Sequence, residues 1–403
     1  MRVVIVGAGG VGDSFARLAA QSESFEAVLV TDINAARAAT VAEVCGPKFT
    51  SAILDASDTD AIAKVARAFK ANVLFNACDP RFVMPIFRAA LHARCHYIDM
   101  AMSLSKPHPT EPYARTNIKL GDEQFALSSE FEENGLLALV GMGVEPGLSD
   151  VFARYASDHL FSSVDEFGVR DGANLAVQGY EFAPTFSIWT TIEECLNPPL
   201  VYERDRGFFT TAPFSEPEIF TFPEGIGPVE CVNVEHEEVV LIPRYLDAGR
   251  VTFKYGLGEE FISVLSAIHK LGLDSVEPRD FRGAKVPPRD FLASLLPDPL
   301  TLGHLMTGKT CAGTWVRGTG TDGNPREVYL YHVVDNEETM GKWGAQAVVW
   351  QTAINPIVAL ELIEAGTWSG AGVLGPEAFD PVPFLDRLAA WGAPHGVVEM
   401  TKA

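Results

Sequence analysis

The sequence is short of basic residues, of paired cysteines and of long apolar runs, and each shortage removes a class of function. Lysine and arginine number 31 against 53 aspartates and glutamates, a formal net charge of -22. Nucleic-acid binding needs a concentrated basic surface, so no nucleic-acid partner is expected. The acidic surplus serves solubility and is compatible with a small cationic substrate. The six cysteines (Cys45, Cys78, Cys95, Cys195, Cys231, Cys311) contain no Cys-x-x-Cys pair. That spacing predicts reduced thiols, with neither a disulfide frame nor a metal site. No apolar run approaches the roughly 20 residues that cross a bilayer. Met1-Arg2-Val3-Val4-Ile5-Val6 passes straight into Gly7, leaving no room for a signal peptide. The expectation is a cytoplasmic protein with no membrane partner. Internal repeats and low-complexity tracts are also missing.

What is present is a chain of 403 residues, 47% hydrophobic and 21% charged, enough for about two domains with a core in each. Val3–Val6 suits a parallel strand buried on both faces, and a helix is expected from about Asp13 to Gln21. Further strands are read at Ala27–Thr31, Thr50–Leu54, Val73–Asn76, His96–Asp99 and Leu136–Val140, with helices at Ala35–Cys45, Thr59–Phe69 and Val83–Arg94 between them. This alternation predicts an α/β fold, a Rossmann-type doubly wound parallel sheet. From Val164 to about Val333 the chain is rich in Phe, Thr, Val and Pro, with alternating segments at Cys231–Leu241 and Glu327–Val333. These predict a second α+β domain with a mostly antiparallel sheet. Lys254-Tyr255-Gly256-Leu257-Gly258 lacks a third glycine and a preceding buried strand, and reads as a bend. A helix over Gly344–Ala365 is expected to pack back on the first domain. The division is then 1–145, completed by 344–403, and 146–343.

Gly7-Ala8-Gly9-Gly10-Val11-Gly12 sits between the first strand and the first helix, where each glycine has a mechanical task. Gly7 permits the tight turn, Gly9 lets backbone approach a pyrophosphate, and Gly12 allows close packing of helix on strand. Asp32 lies 20 residues beyond Gly12 at the end of the second strand. A carboxylate there accepts from the adenosine ribose hydroxyls and repels a 2′-phosphate, which favours NAD(H), with NADP(H) as the alternative. Asp32 could equally cap the helix that follows.

Ligands of open α/β sheets bind beyond the carboxyl ends of the strands. Asn76 and Ala77 there are candidates to touch the cofactor. Asp79, Asp99 and Glu145 are candidates to hold an amine or relay a proton, although an aspartate before a loop is also a common cap or turn former. Glu145, Pro146 and Gly147 form the third strand-end segment. In Glu235-His236-Glu237-Glu238 a histidine stands among carboxylates that would raise its pKa. It is a candidate acid or base, or a surface histidine on an edge strand.

The opening loop, Tyr97-Ile98-Asp99, Gly143-Val144-Glu145-Pro146-Gly147, Leu296-Pro297-Asp298-Pro299, Gly308-Lys309-Thr310-Cys311-Ala312-Gly313 and Glu327-Val328-Tyr329-Leu330-Tyr331 together resemble the saccharopine dehydrogenase family, saccharopine reductases and carboxynorspermidine dehydrogenases included. The resemblance spans most of the chain and implies NAD(P)-linked transfer of hydride at the carbon of a C–N bond in an amino-acid or polyamine-like secondary amine or imine. It implies a central substrate-binding and dimerisation domain, hence a homodimer. By position Asp99 is similar to the family's acid near the nicotinamide, and His236 to a histidine of the polyamine branch; with Asp79 these are the catalytic candidates. Glu145 departs from the residue that branch often carries before Pro-Gly, and Asp32 from the serine-or-arginine pattern of NADP-using relatives. Two other activities fit the same residues: oxidative deamination of the kind lysine 6-dehydrogenase performs, and a non-catalytic NAD(H)-binding sensor.

Overall fold

The computed structural model describes residues 1–400. Strands β1 (Arg2–Val6), β2 (Ala27–Asp32), β3 (Phe49–Ile53), β4 (Val73–Asn76), β5 (His96–Ile98) and β6 (Leu137–Leu139) lie in the order β6-β5-β4-β1-β2-β3, all parallel. A seventh strand, Gly372–Leu374, extends the sheet beyond β6 in the same direction. Val3, Val4, Ile5 and Val6 are all buried, as a strand covered by helices on both faces requires. The covering helices are α1 (Gly10–Gln21), α2 (Ala35–Cys45), α3 (Thr59–Phe69) and α4 (Val83–Ala93). The direction of winding reverses between β1 and β4, which opens the crevice where such sheets take their ligands.

The second sheet has nine strands, with Phe161–Ala173 at its centre. That strand pairs antiparallel with Lys309–Gly320 and parallel with Arg250–Gly256. The other pairings are antiparallel. One apolar core runs from β1 through the helix Ala347–Glu364 to Val169 and Val316 of this sheet. The helix Ala347–Glu364 has 15 of its 18 residues buried and packs on α1 and on the strands Lys309–Gly320 and Pro325–Asp335. It is the helix expected over Gly344–Ala365, and although by length and composition it could cross a membrane, its burial explains its apolarity.

Three expectations change. The alternating segment Cys231–Leu241 is not one strand: a strand ends at Asn233, and Glu238–Tyr245 is helical. The run Val239-Val240-Leu241-Ile242 is continuous apolar sequence, which period alone cannot assign to strand or helix. The segment Lys254–Gly258 is no simple bend, because it joins the strand Arg250–Gly256, whose Val251, Thr252 and Phe253 are buried, to a helix from Gly258. Residues 344–400 do not serve the first sheet alone, since Gly396–Glu399 pairs with Pro325–Asp335 in the second.

Candidate functional site

The glycine loop turns where its backbone demands it. Gly7 has φ +102°, and a Cβ there would lie 2.8 Å from the Ala77 carbonyl oxygen. A Cβ on Gly12 would come within 2.0 Å of the Gly7 carbonyl oxygen, so α1 and the turn touch backbone to backbone. Gly9 faces open space, with nothing within 4 Å of where its Cβ would be. It caps α1 without a side-chain hydrogen bond, so the first-turn N–H groups are left for an anion. Gly10 packs beside Val349 and Leu300, and Val11 is half-buried. Asp32 accepts from Ala8 N at 2.9 Å and from Asn34 N at 2.7 Å. It does not cap α2; Asn34 does, through Ala36 N and Arg37 N. These residues fit a dinucleotide: an open cradle at a helix N-terminus with a carboxylate at the end of β2.

The strand-end candidates are placed less freely than expected. Asn76 is buried, its Nδ2 donating to Tyr97 Oη at 3.0 Å and its Oδ1 accepting from Cys78 N at 3.0 Å, so its amide is engaged inside the protein at both ends. Ala77 supports the glycine turn through its N–H to Val6 O, 2.9 Å. Asp79 caps the short turn Pro80–Phe82 and grips Arg81 with both oxygens, at 2.9 and 2.8 Å. That leaves it as an ion-pair partner and not as a free acid. Asp99 is 1% exposed and accepts from Gly141 N at 2.7 Å and Gln124 Nε2 at 2.8 Å. Burial pushes its carboxyl up to about 7 despite these donors and Tyr97. Asp99 therefore stiffens the ends of β5 and β6, with both oxygens committed. The Gly143–Gly147 turn closes on itself, Gly143 N to Pro146 O at 2.7 Å, and Gly147 (φ +133°) leads into the helix Leu148–His159.

Beyond that turn the chain assembles a cluster of carboxyls. Glu145 joins Asp171 of the central strand, Glu194 of the helix Ile188–Leu196, and Glu235, Glu237 and Glu238 around His236, with Asp99 beneath Glu237. Among the described residues no lysine or arginine is ion-paired to any of these seven acids; His236 is their one ionic partner. The consequence is a rise in pKa wherever burial is uncompensated. Burial lifts Glu194 to about 8, Asp171 to about 6 and Glu235 to about 7. Burial and the neighbouring Asp171 hold Glu145 well above the usual carboxylate range, and its Oε2 has no partner. Glu145 and Glu194 keep part of their surface open, whereas Asp171, Glu235, Glu237 and Glu238 are buried.

His236 sits in the turn between strand and helix, 3% exposed, and so is not a surface residue of an edge strand. Its Nδ1 lies 2.6 Å from Glu238 Oε2 and 3.5 Å from Glu237 Oε2, and its ring stacks on Phe253 at 3.8 Å with 5° between planes. Burial alone would depress its pKa, but Glu238, Glu237 and Glu194 raise it to about 10. His236, Glu237 and Glu238 could each offer an atom to one metal ion. The 2.6 Å contact is that of a hydrogen bond, shorter than two ligand atoms on a common ion with bonds of about 2.1 Å. Sequence reasoning picked out His236 but missed Asp171, Glu194 and Glu238 as members of a site. The available signal, for Glu194, was an acid followed directly by apolar residues, as in Glu194-Cys195-Leu196.

A dinucleotide cradle at the switch point of a parallel sheet, together with a cluster of ionisable groups built largely on a second mixed sheet, is the architecture of a Rossmann-type oxidoreductase. The family model described as the saccharopine dehydrogenase NADP binding domain matches residues 3–139, and that of the saccharopine dehydrogenase C-terminal domain matches 143–393. The chain belongs to the saccharopine dehydrogenase family. It is 29% identical over 414 residues to a carboxynorspermidine synthase of Vibrio alginolyticus, covering 99% of this chain and 97% of the relative. It is 29% identical over 400 residues to a carboxyaminopropylagmatine dehydrogenase of Synechocystis, covering 98% of each. Its fold is shared with apo saccharopine dehydrogenase (L-Glu forming) from Saccharomyces cerevisiae at a TM-score of 0.70 and 15% identity, covering 99% of this chain and 100% of that one.

Proposed function

We propose that the chain is an NAD(P)-dependent oxidoreductase acting on the C–N bond of a carboxylated polyamine-like secondary amine, with the corresponding imine as the oxidised partner. The observation that carries this reading is the surplus of buried carboxyls around a single imidazole in a chain that also holds a dinucleotide cradle. A site of that charge favours a substrate with more than one positive nitrogen, and both curated relatives are named for carboxylated polyamines.

The nicotinamide, when bound, supplies or accepts the hydride. The chain does the rest. Gly9, Gly10, Val11 and Gly12 would hold the pyrophosphate at the N-terminus of α1, and Asp32 would accept from the ribose hydroxyls. Glu145, Asp171 and Glu194 hold the cationic amine and favour the positive charge of the protonated imine, in surroundings where such interactions are strong. His236 exchanges a proton with the reacting nitrogen: in the direction of reduction the proton passes from Nε2 to that nitrogen, and in oxidation it returns. A pKa of about 10 lies close to that of an alkylammonium, about 10.4 for lysine, so the transfer is nearly balanced in either direction. Asp99 and Gln124 position the floor of the site.

Asp32 supports NAD(H) over NADP(H), since its charge opposes a 2′-phosphate. The test is steady-state turnover on carboxynorspermidine, carboxyaminopropylagmatine, saccharopine and lysine with each dinucleotide. Turnover on a carboxylated polyamine with higher kcat/KM for NAD(H) is expected. Ammonia release from lysine would replace this reading with oxidative deamination, dinucleotide binding without turnover on any amine would make the chain a sensor, and a strong NADP(H) preference would overturn the role of Asp32.

A further inference from the structure

The histidine of the proposed reaction is held from behind by residues that take no part in the hydride step. Glu238 is fully buried, with 0% of its surface exposed, and its two oxygens face opposite ways. Oε2 lies 2.6 Å from His236 Nδ1, and Oε1 accepts from Ser149 Oγ at 2.8 Å. Ser149 belongs to the helix Leu148–His159, and its carbonyl accepts from Thr314 Oγ1 of the second sheet at 2.6 Å. The chain of contacts thus runs from the imidazole through Glu238 and Ser149 into the central strands. On the other side the ring is fixed by its parallel stacking on Phe253, which is 1% exposed.

We infer that Glu238 is the positioning residue of His236: together with Ser149 and Phe253 it fixes the imidazole with Nδ1–H directed at Oε2, so that Nε2 is the nitrogen presented to substrate. The inference rests on the reading of His236 as the acid and base of a C–N oxidoreductase. A histidine's two nitrogens are not equivalent, and the hydrogen bond at one decides the protonation of the other. Glu238 does this with a short charge-assisted bond. The other ionisable groups around the ring are Glu237 on the same turn, Glu194 from the helix Ile188–Leu196 and Asp171 from the central strand. Of these, only Glu237 also forms an ion pair with Nδ1, and at the longer 3.5 Å. A carboxylate behind a catalytic imidazole loses its effect when it becomes an amide, because the amide offers both a donor and an acceptor and no charge.

The test compares wild type with Glu238→Gln and Glu238→Asp in two measurements. The first is NMR titration of the His236 ring nitrogens, which needs no substrate. Wild type should stay protonated through pH 9 with a low-field Nδ1 proton. Glu238→Gln should lose that proton signal and titrate at least tenfold more readily. The second is steady-state kinetics: kcat should fall about 10- to 100-fold, no more than the lower end of a general acid–base contribution because His236 itself is kept, with dinucleotide affinity and substrate KM little changed and with the alkaline limb of the pH profile moved to lower pH. Glu238→Asp keeps the charge and withdraws it by about one methylene; it should recover the ring pKa in part and kcat hardly at all. Unchanged ring titration in a folded Glu238→Gln overturns the inference, as does wild-type kcat in Glu238→Asp. If Glu238→Gln does not fold, the wild-type proton signal and Glu238→Asp decide. Wild type inert on every amine, but with the imidazole held as described, would refute the proposed function and leave the brace standing.

Discussion

The glycine loop and the carboxyl cluster are built on opposite principles. The loop is made of backbone and works through missing atoms: Gly7 and Gly12 leave room for each other, and Gly9 leaves room for a ligand. Its chemistry is that of N–H groups at a helix end, with one carboxylate, Asp32. The carboxyl cluster is made of side chains and works through acids held out of water with His236 as their one ionic partner. The first is stable with nothing in it, since every close contact there is internal. The second is expensive when empty, because each buried carboxyl must keep its proton or lack a partner. A cationic ligand relieves that cost, so binding energy there is drawn from strain the protein already carries.

The largest expected effect separates the two jobs inside the glycine loop. Gly12→Ala puts a methyl 2.0 Å from the Gly7 carbonyl, so the turn must open; dinucleotide binding followed by fluorescence should be lost and Tm should fall, by about 1–3 kcal/mol of stability as overpacking costs. Gly9→Ala meets no protein atom within 4 Å and should leave Tm in place while weakening the dinucleotide. Equal Tm losses in both variants would mean that Gly9 is packing and not cradle.

A smaller effect sharpens the contrast from the substrate side. Asp99, Glu194 and Glu235 are raised to about 7, 8 and 7 from ordinary values of 3.8 and 4.5. The folded state holds their protons more tightly than the unfolded state does. Their stabilising contribution is therefore complete below about pH 4 and lost as pH rises to about 8. His236 has the same sign, complete below 6.5 and lost as pH rises through about 10. Scanning calorimetry should show Tm falling between pH 6 and 9, by on the order of 5 °C, and added spermidine should restore it. A flat or rising Tm over that range would mean that the carboxyls are solvated.

The sheet that binds the cofactor was almost entirely legible, and for a local reason. Its strands and helices are contiguous runs with their own period, and α2, α3 and β4 begin and end where the spacing places them. The glycine motif is equally local. The cluster was not legible because its members come from five separate segments and declare themselves only by what surrounds them. Asp79 and Asp99 looked as free as any acid at a strand end; Arg81 in one case, and Gly141 and Gln124 in the other, take up their oxygens. Glu194 gives no sign in sequence that its neighbours in space are Glu237, Glu238 and Asp171. His236 was marked by its flanking glutamates, yet which of them holds the ring depends on a helix starting at Glu238, in a segment whose alternation reads as strand.

The most direct test of the account is calorimetry of spermidine binding to the NAD-loaded protein at pH 7, repeated in buffers of different ionisation enthalpy. A cation entering the cluster lowers the pKa of Glu194 and its neighbours, so about one proton should be released per ligand bound, and clearly less in Glu194→Gln. Binding with no proton release, or equal affinity for an uncharged polyether of the same length, would contradict the claim that the carboxyl cluster is a store of uncompensated negative charge.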